Sequence, residues 1–429
     1  MTIPSTEAGA PAGSTADCGC PEYSRVSRRG LFRGAFAAGA GLTATAAYGS
    51  AFVETSYAAT RSAPAVVVVL SMRGAVDGMS LVVPHGDPIY YQARPGIAVP
   101  SAQLLAKDGF FGLHPNLAPL LPLWNAGQMA AVHATGLPAP NRSHFAAMEE
   151  VEDAAPGSTT RTGWLNRLIG RDTYASPLQA MQIGEPSPPT ALSGPQPTVA
   201  IESINDMKLA GADKWDTDGR RTRSMTTTWR SAAGPLGSGA RSAMQAIQDF
   251  APAKATSSTP ANGASYPSGD FGRAMSATAR TIRGDVGAEV ITVDFGSWDH
   301  HVDLGPLGWG RMQRMTTEFA GVLAAFFTDL GPLASKVTVV ALSEFGRRTK
   351  QNGSWGLDHG WGNAMLLLGA GVKGGYHGTW PGLVDEVNAD LTVTTDYRSV
   401  LSEVVVKRMG ASSAQVFPGF TPETVGALL

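Results

Sequence analysis

The chain has 429 residues, of which 43% are hydrophobic and 16% are charged, so it is long enough to bury a sizeable core and is not disordered in composition. The formal net charge of -2, without long Lys or Arg runs, gives no electrostatic reason to expect DNA, RNA or an anionic membrane as a partner. One large α/β domain or two medium ones fit this length.

A basic and then apolar segment lies near the N-terminus. Arg28 and Arg29 precede a weakly apolar run of Ala, Gly, Leu and Phe, and small residues over 47–51 suit cleavage. The pattern predicts a twin-arginine signal peptide over 1–51, because the run is short for a membrane anchor and is broken by Gly and Thr. We therefore expect export by the twin-arginine machinery to the periplasm, the cell envelope or the exterior, and no membrane span in the mature chain.

Both cysteines of the chain, Cys18 and Cys20, lie ahead of the apolar core of this signal and are expected to leave with it. The mature protein then has neither a disulfide nor a thiolate, which excludes cysteine nucleophiles and cysteine-based zinc sites. Because the twin-arginine pathway moves folded proteins, this route raises the expectation of a bound metal.

Apolar, β-branched runs alternate with helix-period stretches in the rest of the chain. The strand-like runs are APAVVVVLSMRG, MAAVHATG, PTVAIES, AEVITVDFGS, KVTVVALSEFG and NAMLLLGAGV, and the helix-like stretches are RSHFAAMEEVEDAA, ARSAMQAIQDFA, FGRAMSATARTIRG and WGRMQRMTTEFAGVLAAFFTDLG. This alternation predicts a single α/β domain over 62–429, with a largely parallel sheet between helices. The Pro/Ser/Ala/Gly-rich segment 251–271 predicts a flexible surface loop inserted in that domain.

Polar residues follow three of the strand-like runs. They are Arg73 and Asp77 after the first run, Asp299, His300 and His301 after the run VITVDFGSW, and Glu344 and Arg347 after the run VTVVALS. Because the carboxyl ends of parallel strands meet at one edge of a sheet, we expect these residues to build a single polar site.

The spacing of acids and histidines favours a metal site. Asp299 and His301 are two residues apart, so on an extended segment both side chains reach the same side. Glu344, and Asp358 with His359 in a Gly-rich loop, supply further ligand types. A divalent cation such as zinc, calcium, magnesium or manganese accepts such groups. The alternatives are solvated loop histidines and an Asx turn at Asp358.

The segment PNRSHFAAMEEVEDAA adds a helix start. Exposed amides at such a terminus attract anions, so Arg142, Ser143 and His144 are candidates for anion binding or catalysis. Ser143 is a candidate nucleophile if a metal lowers its pKa, and capping of the helix is its alternative role. Arg73, Arg142 and Arg347 are expected to neutralise charge on a transferred group.

Several segments, in one order along the chain, resemble exported bacterial proteins that contain a domain of unknown function and are placed beside the sulfatases and alkaline phosphatases. Besides the twin-arginine leader, the segments are RGAVDGMSLVVPHGDPIYYQARPGIAVP, GLHPNLAPLLPLWNAGQMAAVHATGLPAPNRSHF, GWLNRL, DHH, SEFGRR, NGSWGLDHGWGNAMLLLGAGVKGG and TTDYRSVL. The resemblance implies an alkaline-phosphatase-like three-layer α/β sandwich with one or two divalent cations. It implies Asp77 as a further metal ligand and Ser143 as the nearest candidate for the nucleophile.

The sequence also departs from these relatives. It lacks the Cys/Ser-x-Pro-x-Arg signature of sulfatases, and it has Asp299-His300-His301 where the pattern has Asp-Thr-His, which makes His300 an uncertain extra. We expect an exported metal-dependent hydrolase that acts on a phosphate or sulfate ester, or a related anionic group, of a small molecule or polymer. The alternatives are a non-catalytic envelope protein that binds a glycan or a secreted partner on a degenerate hydrolase fold, and a metal-dependent enzyme of another reaction class.

Overall fold

A computed structural model describes residues 62–159, 161–171, 176–209 and 212–429. The predicted signal peptide, with Cys18 and Cys20, lies outside the described residues. The described residues all belong to one compact unit.

A large sheet forms the centre of the described fold. The strands are β1 Val66–Ser71, β2 Val82–Val83, β3 Gly112–Leu113, β4 Met129–Gly136, β5 Ala180–Ile183, β6 Val199–Ile201, β7 Val290–Asp294, β8 Val337–Leu342, β9 Asn363–Gly369, β10 Gly375–His377 and β11 Thr395–Asp396. The central sheet has the order β10-β4-β9-β8-β1-β7-β5-β6, with β11 paired to β4, and β2 pairs with β3 separately. Strand β9 runs antiparallel to β4 and β8, and the other pairs of the central sheet are parallel.

Helices of one to five turns connect these strands. They are α1 Gly78–Leu81, α2 Pro88–Ala93, α3 Leu121–Asn125, α4 His144–Asp153, α5 Trp164–Leu168, α6 Ala212–Trp215, α7 Arg220–Trp229, α8 Gly234–Asp249, α9 Ala251–Ala255, α10 Asp270–Arg283, α11 Arg311–Leu330, α12 Tyr397–Met409 and α13 Ser413–Val416. Short 3-10 turns lie at Ser101–Gln103, Pro115–Leu120, Thr190–Leu192, Ile204–Asp206 and Gly331–Lys336.

Strand β1 lies in the middle of the sheet and is buried on both faces. Val66, Val68 and Leu70 belong to one hydrophobic cluster, and Val67 and Val69 belong to another on the opposite face. Alternating side chains of a strand point to opposite faces, so an all-apolar sequence is what such a position requires.

Helices cover both faces of the sheet. Phe319 and Phe326 of α11 belong to the first cluster together with residues of α10, whereas Val400 and Val404 of α12 belong to the second with residues of α4 and α5. The predicted α/β fold with a large, mostly parallel sheet is confirmed. Within the described part of the chain, no helix is both long enough and apolar enough to cross a membrane.

The segment 251–271, predicted as a surface loop, has more regular structure than expected. Residues 251–255 form α9, which buries Ala253, and the residues between α9 and α10 are irregular. Asp329, near the end of α11, accepts hydrogen bonds from the Ala261 amide at 2.6 Å and from the Tyr266 hydroxyl at 3.0 Å. These contacts attach the segment to the sheet-covering helix.

Candidate metal centre

The site lies at one edge of the sheet, where the loops next to four strands, β4, β9, β8 and β7, bring polar residues together. Asp299 and His301 follow β7, Glu344 follows β8, and His144 begins α4 after β4. His359 precedes β9, and because β9 runs in the opposite direction its first residues lie at the same edge. This is the edge at which open α/β sheets place their ligands.

Three imidazole rings and one carboxylate meet at this edge. The Nε2 atom of His359 is 3.0 Å from Nε2 of His144 and 2.9 Å from Nε2 of His301. The carboxylate of Asp299 approaches all three rings: Oδ1 is 3.1 Å from His301 Nε2 and 3.4 Å from His359 Nε2, and Oδ2 is 3.6 Å from His144 Nε2.

These separations suit a single ion. Ligand atoms about 2.0–2.1 Å from one tetrahedral zinc ion lie roughly 3.3 Å from each other. His144, Asp299 and His359 present atoms that all lie within 4.8 Å of one another, and His301 borders this group beside His359 and Asp299. Two imidazoles and a carboxylate, with a third imidazole next to them, form a recognised type of donor set for a divalent transition metal.

The other ring nitrogen of each histidine contacts an oxygen that accepts a hydrogen bond. Nδ1 of His144 is 2.8 Å from Glu344 Oε1, Nδ1 of His301 is 3.0 Å from Asp358 Oδ1, and Nδ1 of His359 is 2.9 Å from the Arg142 carbonyl oxygen. Because carboxylate and carbonyl oxygens accept, each Nδ1 carries a proton, and each Nε2 then points to the centre, where it either bears a proton or binds a cation. Histidines that bind metals are oriented in this way.

The ionised carboxylate of Asp299 is stabilised by positive charge and hydrogen-bond donors in the centre. Burial works to raise the pKa of Asp299, but hydrogen bonds from the three histidines and the charge of Arg347 hold it well below its usual range. Burial lowers the pKa of His144, but its bonds to Asp299 and Glu344 outweigh this and raise the pKa to about 9. A carboxylate among converging ring nitrogens is therefore stabilised by protons or by a bound cation.

Glu344 and Asp358 were predicted as metal ligands, and the structure places both against histidine Nδ1 atoms. Glu344 is buried, accepts a hydrogen bond from the Gly74 amide at 2.8 Å, and also contacts His144. Asp358 is more exposed and bonds the amide of Asn352 at 3.2 Å. Both carboxylates thus hold the rings of histidines that converge at the centre, and neither belongs to the group of converging atoms His144, Asp299 and His359.

Arg347 was predicted to contact a substrate, and the structure buries its side chain completely. Its guanidinium donates to the carbonyl oxygens of Gly74 and Ala75, each at 2.6 Å, and to that of Leu357 at 3.1 Å. It also donates to Asp299 Oδ1 at 2.6 Å. Arg347 therefore ties three loops together and holds Asp299 in place, which makes it a positioning residue.

Asp77 was predicted as a ligand, and the structure pairs it with another residue. Its oxygens accept hydrogen bonds from Arg94 at 2.6 Å and 3.1 Å, and the Ser80 hydroxyl donates to it at 2.5 Å. Arg94 and Asp77 are both buried, so this ion pair is shielded from water. Both carboxylate oxygens of Asp77 are thus engaged by Arg94 and Ser80.

The other predicted arginines also have carboxylate partners. Arg73 bonds Asp294 at 2.6 Å and Glu152 at 2.7 Å, and the three side chains line a cavity of about 30 Å³ on the α4 side of the sheet. Arg142 forms an ion pair with Asp390 and is partly exposed. Of the predicted arginines, Arg142 has the side chain that water reaches most easily.

Ser143 occupies the N-cap position of α4, as the alternative to a nucleophile predicted, but its side chain makes no capping hydrogen bond. The amide of Ser143 donates to Asn141 Oδ1 at 3.1 Å, so the turn before the helix is held by the asparagine. The half-buried Ser143 directly precedes His144, whose ring enters the centre. The helix start and the metal candidate are therefore one continuous site.

His300 turns away from its neighbour His301. Its side chain is buried, with Nε2 3.3 Å from the sulfur of Met315, and burial lowers its pKa to about 3. The adjacent histidines thus have different environments, in agreement with the two-residue spacing that linked Asp299 to His301.

Two glycines allow the loops of the site to approach closely. Gly74 has φ of +105°, and a Cβ atom there would lie 2.7 Å from the amide nitrogen of Asp299. A Cβ atom on Gly360 would lie 2.4 Å from the carbonyl carbon of Arg347. Side chains at these positions would push apart the loops that carry Asp299 and His359.

The profile of the family described as "Protein of unknown function (DUF1501)" matches residues 114–420. The matched region is more than half of the chain and contains all three histidines and the aspartate of the centre. The chain belongs to this family. Membership of a family of unknown function, which the motifs indicated, is thereby confirmed. A search of the curated proteins finds no match.

Within the matched region, two functional features were missed by sequence reasoning. His144 was considered for anion binding, but its ring nitrogen faces His359 and Asp299. Asn352 was not considered, although its amide donates to the His301 carbonyl at 2.8 Å and to Asp358. A helix start rich in polar residues was the available signal for His144, whereas no spacing rule singles out Asn352.

Proposed function

We propose that this protein is an exported metal-dependent hydrolase that acts on a phosphate or sulfate ester or a related anionic group. In this proposal His144, Asp299 and His359 hold one divalent cation, and His301 is a further ligand. The observation that carries the proposal is the convergence of three Nε2 atoms on one carboxylate while each Nδ1 is fixed by an accepting oxygen.

The donor set favours some metals over others. Calcium and magnesium prefer oxygen ligands, whereas imidazole nitrogen suits zinc and other transition metals. Of the cations that the sequence suggested, zinc and manganese therefore fit three histidines and one aspartate better than calcium or magnesium. The positioning contacts from Glu344 and Asp358 also match the carboxylate–histidine arrangement of zinc sites.

Residues at the start of α4 supply the remaining parts of the proposed chemistry. The cation would polarise an ester and lower the pKa of a nearby hydroxyl or water. The first amides of α4 attract the anionic group because they lack partners within the helix. Arg142, whose ion pair with Asp390 is accessible to water, can neutralise charge on the group being transferred. Ser143 is the candidate nucleophile, since its hydroxyl makes no capping hydrogen bond.

We further propose a relationship to the sulfatases and alkaline phosphatases. A mostly parallel sheet with helices on both faces, and a polar site at the edge where its parallel strands end, support it. The pairing of Asp77 with Arg94 favours one cation instead of two. Export through a twin-arginine signal over 1–51, to the periplasm, envelope or exterior, is part of the same proposal and rests on the sequence motif alone.

The second candidate function is a non-catalytic envelope protein that keeps the metal and binds a glycan or a secreted partner. Two contacts favour it: Arg73 bonds protein carboxylates, and Arg347 is fully enclosed by the protein. A hydrolase of phosphate or sulfate esters usually directs positively charged side chains at the substrate. Here Arg142 would have to do so without Arg73 and Arg347.

The decisive experiment is elemental analysis of the natively exported protein, in which Asp299→Asn and His359→Gln are compared with wild type. His377→Gln is the matched control, because this histidine bonds the Lys373 carbonyl away from the centre. We expect about one metal ion per chain in wild type and control, and a loss of at least tenfold in metal affinity for each variant. Full retention of metal in both variants would reject the site.

The same preparations distinguish the two functions. They are assayed with aryl phosphate monoesters, aryl phosphate diesters and aryl sulfates in the presence of added zinc or manganese. Turnover that disappears in Asp299→Asn supports the hydrolase. Stoichiometric metal without turnover of any of these esters supports the non-catalytic protein.

A further inference from the structure

Two half-exposed tryptophans stand side by side next to the candidate metal centre. Trp309 is 47% exposed and Trp355 is 45% exposed. Their ring centroids are 5.8 Å apart and the ring planes are inclined by 55°, so the rings form one bent apolar surface. We call this pair the tryptophan platform. Large exposed aromatic surfaces on a soluble protein mark binding sites more often than chance.

The tryptophan platform belongs to the same two loops as the metal centre. The amide of Asp303 donates to the Ser354 carbonyl at 3.1 Å, and the amide of Gly305 donates to the Trp355 carbonyl at 3.2 Å. These bonds join the loop that follows His301 to the loop that ends in Asp358. The two loops therefore position the aromatic surface and the histidine ligands together.

Asn352 links the turn that bears Trp355 directly to the centre. Its Oδ1 accepts hydrogen bonds from the amides of Ser354 at 2.9 Å and Gly356 at 3.1 Å. Its side-chain amide donates to the His301 carbonyl and to Asp358 Oδ1. One side chain thus holds both the tryptophan turn and the residue that orients His301.

The backbone of Trp355 is strained. Its φ is +57°, which is rare for a bulky side chain and costs on the order of 1 kcal/mol or more. Glycine would adopt this conformation without strain. One part of the Trp355 ring packs against Gly96, and the rest of its surface is exposed beside the site, where a ligand can contact it.

We propose that the tryptophan platform binds the sugar ring of the substrate, so that the esters hydrolysed are phosphate or sulfate esters of carbohydrates. This inference rests on the proposed function and specifies its substrate class. The anionic group would lie at the metal centre and the start of α4, and the apolar C–H face of the sugar would stack on the exposed tryptophan faces.

The surroundings of the platform match a sugar better than an acyl chain. The platform is open to water, whereas an acyl chain requires an enclosed apolar groove for full burial. Exposed Ser354 and Asp303 lie on the two loops of the platform and offer a hydroxyl and a carboxylate to sugar hydroxyls. Flat apolar faces with polar neighbours suit a ring that is apolar on its face and polar around its edge.

The test measures binding by calorimetry on the full exported chain with its metal. The probes are glucose 6-phosphate and glucose 6-sulfate, with inorganic phosphate, inorganic sulfate and 4-nitrophenyl phosphate as sugar-free comparisons. The variants are Trp309→Ala, Trp355→Gly and their combination. Trp215→Ala is the matched control, since Trp215 is 68% exposed on α6.

We expect wild type and Trp215→Ala to bind the sugar esters about tenfold more tightly than the inorganic anions. The double variant should bind both kinds of probe with nearly equal affinity while keeping its metal content and its affinity for inorganic phosphate. Trp355→Gly relieves the positive φ, so we expect it to fold, and its metal content and its affinity for inorganic phosphate check that the centre is intact.

Three outcomes would overturn the inference: no preference for sugar esters in wild type, an unchanged preference in the double variant, or a stronger preference for 4-nitrophenyl phosphate that depends on the same tryptophans. A different result would contradict the proposed hydrolase function. If the protein prefers the sugar esters through its tryptophans but hydrolyses no ester, sugar binding by the platform is supported. Only the proposed hydrolase function is then contradicted.

Discussion

The carboxylate of Glu344 and the ring of His144, 200 residues apart in the chain, meet through a 2.8 Å contact between Oε1 and Nδ1. Glu344 is buried at the end of β8, and His144 is the first residue of α4. The contact fixes the proton on Nδ1 and aims Nε2 at His359 and Asp299. The geometry of the centre therefore depends on an acid that lies outside the group of converging atoms.

Replacement of this acid should weaken the metal site without removing a ligand. We expect Glu344→Gln to lower the affinity for zinc by about 10–100-fold, because the amide no longer favours one orientation of the His144 ring. Competition with a chelator of known affinity measures this change. Glu149→Gln is the control, since Glu149 is about half-exposed and pairs with Arg161. Equal zinc affinity in Glu344→Gln and wild type would show that the contact does not orient a ligand.

Asp358 should matter less than Glu344, although both contact the Nδ1 of a histidine. The side chain of Asp358 is 56% exposed and that of Glu344 is 2% exposed. Water can replace an exposed carboxylate as acceptor, so we expect Asp358→Asn to lower zinc affinity by less than about tenfold. The same competition assay ranks the two variants. A larger effect of Asp358→Asn would mean that Asp358 binds the cation itself.

The positions of the strands could be predicted from the sequence because a strand buried on both faces requires a continuous run of apolar residues. The β-branched runs of β1, β7 and β8 are continuous and apolar, and each of the six predicted runs contains a strand. Strand β5 was missed because Ala180–Ile183 is short and contains a polar Gln182. The prediction that polar residues meet at one edge followed from the parallel arrangement alone.

The role of each acid could not be predicted in the same way. Spacing along the chain does not show whether a carboxylate faces an ion, a ring nitrogen or a buried arginine. Asp77 pairs with Arg94, 17 residues away, and Glu344 pairs with a histidine from another element. These choices depend on side-chain geometry across loops, which the periodicity of strands and helices does not record.

Gly74 provides a test of the close approach between the loop that follows β1 and the loop that follows β7. In Gly74→Ala the new Cβ would meet the backbone of Asp299 and Trp298, and the residue would keep a φ of +105°. We expect a loss of about 2–4 kcal/mol in the free energy of unfolding, together with weaker metal binding. Denaturant unfolding and metal competition measure the two effects.

Gly127→Ala separates the backbone strain of a positive φ from the steric clash of a new Cβ atom. Gly127 has φ of +69°, but a Cβ atom there would meet nothing within 4 Å. We expect about 1 kcal/mol of destabilisation from the backbone alone and unchanged metal affinity. Similar losses of stability and metal affinity in both variants would contradict the claim that contact with the Asp299 loop is what requires glycine at position 74.

His114 should make the protein less stable in acid. Its ring is buried, and Nδ1 accepts a hydrogen bond from the Asn116 amide at 3.1 Å, so the folded protein holds the ring neutral. Burial lowers the pKa of His114 to about 4. Between pH 4 and about 6.5 the unfolded chain therefore binds a proton that the folded chain does not, and stability rises with pH across this range. The stabilisation is complete above about pH 6.5 and is lost as the pH falls toward 4.

His114→Asn isolates this effect, because asparagine keeps an acceptor at the start of the 3-10 turn but does not titrate. Unfolding by urea is compared at pH 7, 6 and 5 in metal-depleted protein, so that metal release does not contribute. We expect wild type to lose about 2 kcal/mol more than the variant between pH 7 and pH 5. His133 and His300, whose pKa values are also lowered, are present in both proteins and cancel in the difference. Parallel pH dependence of the two proteins would mean that the folded protein accommodates a charged His114.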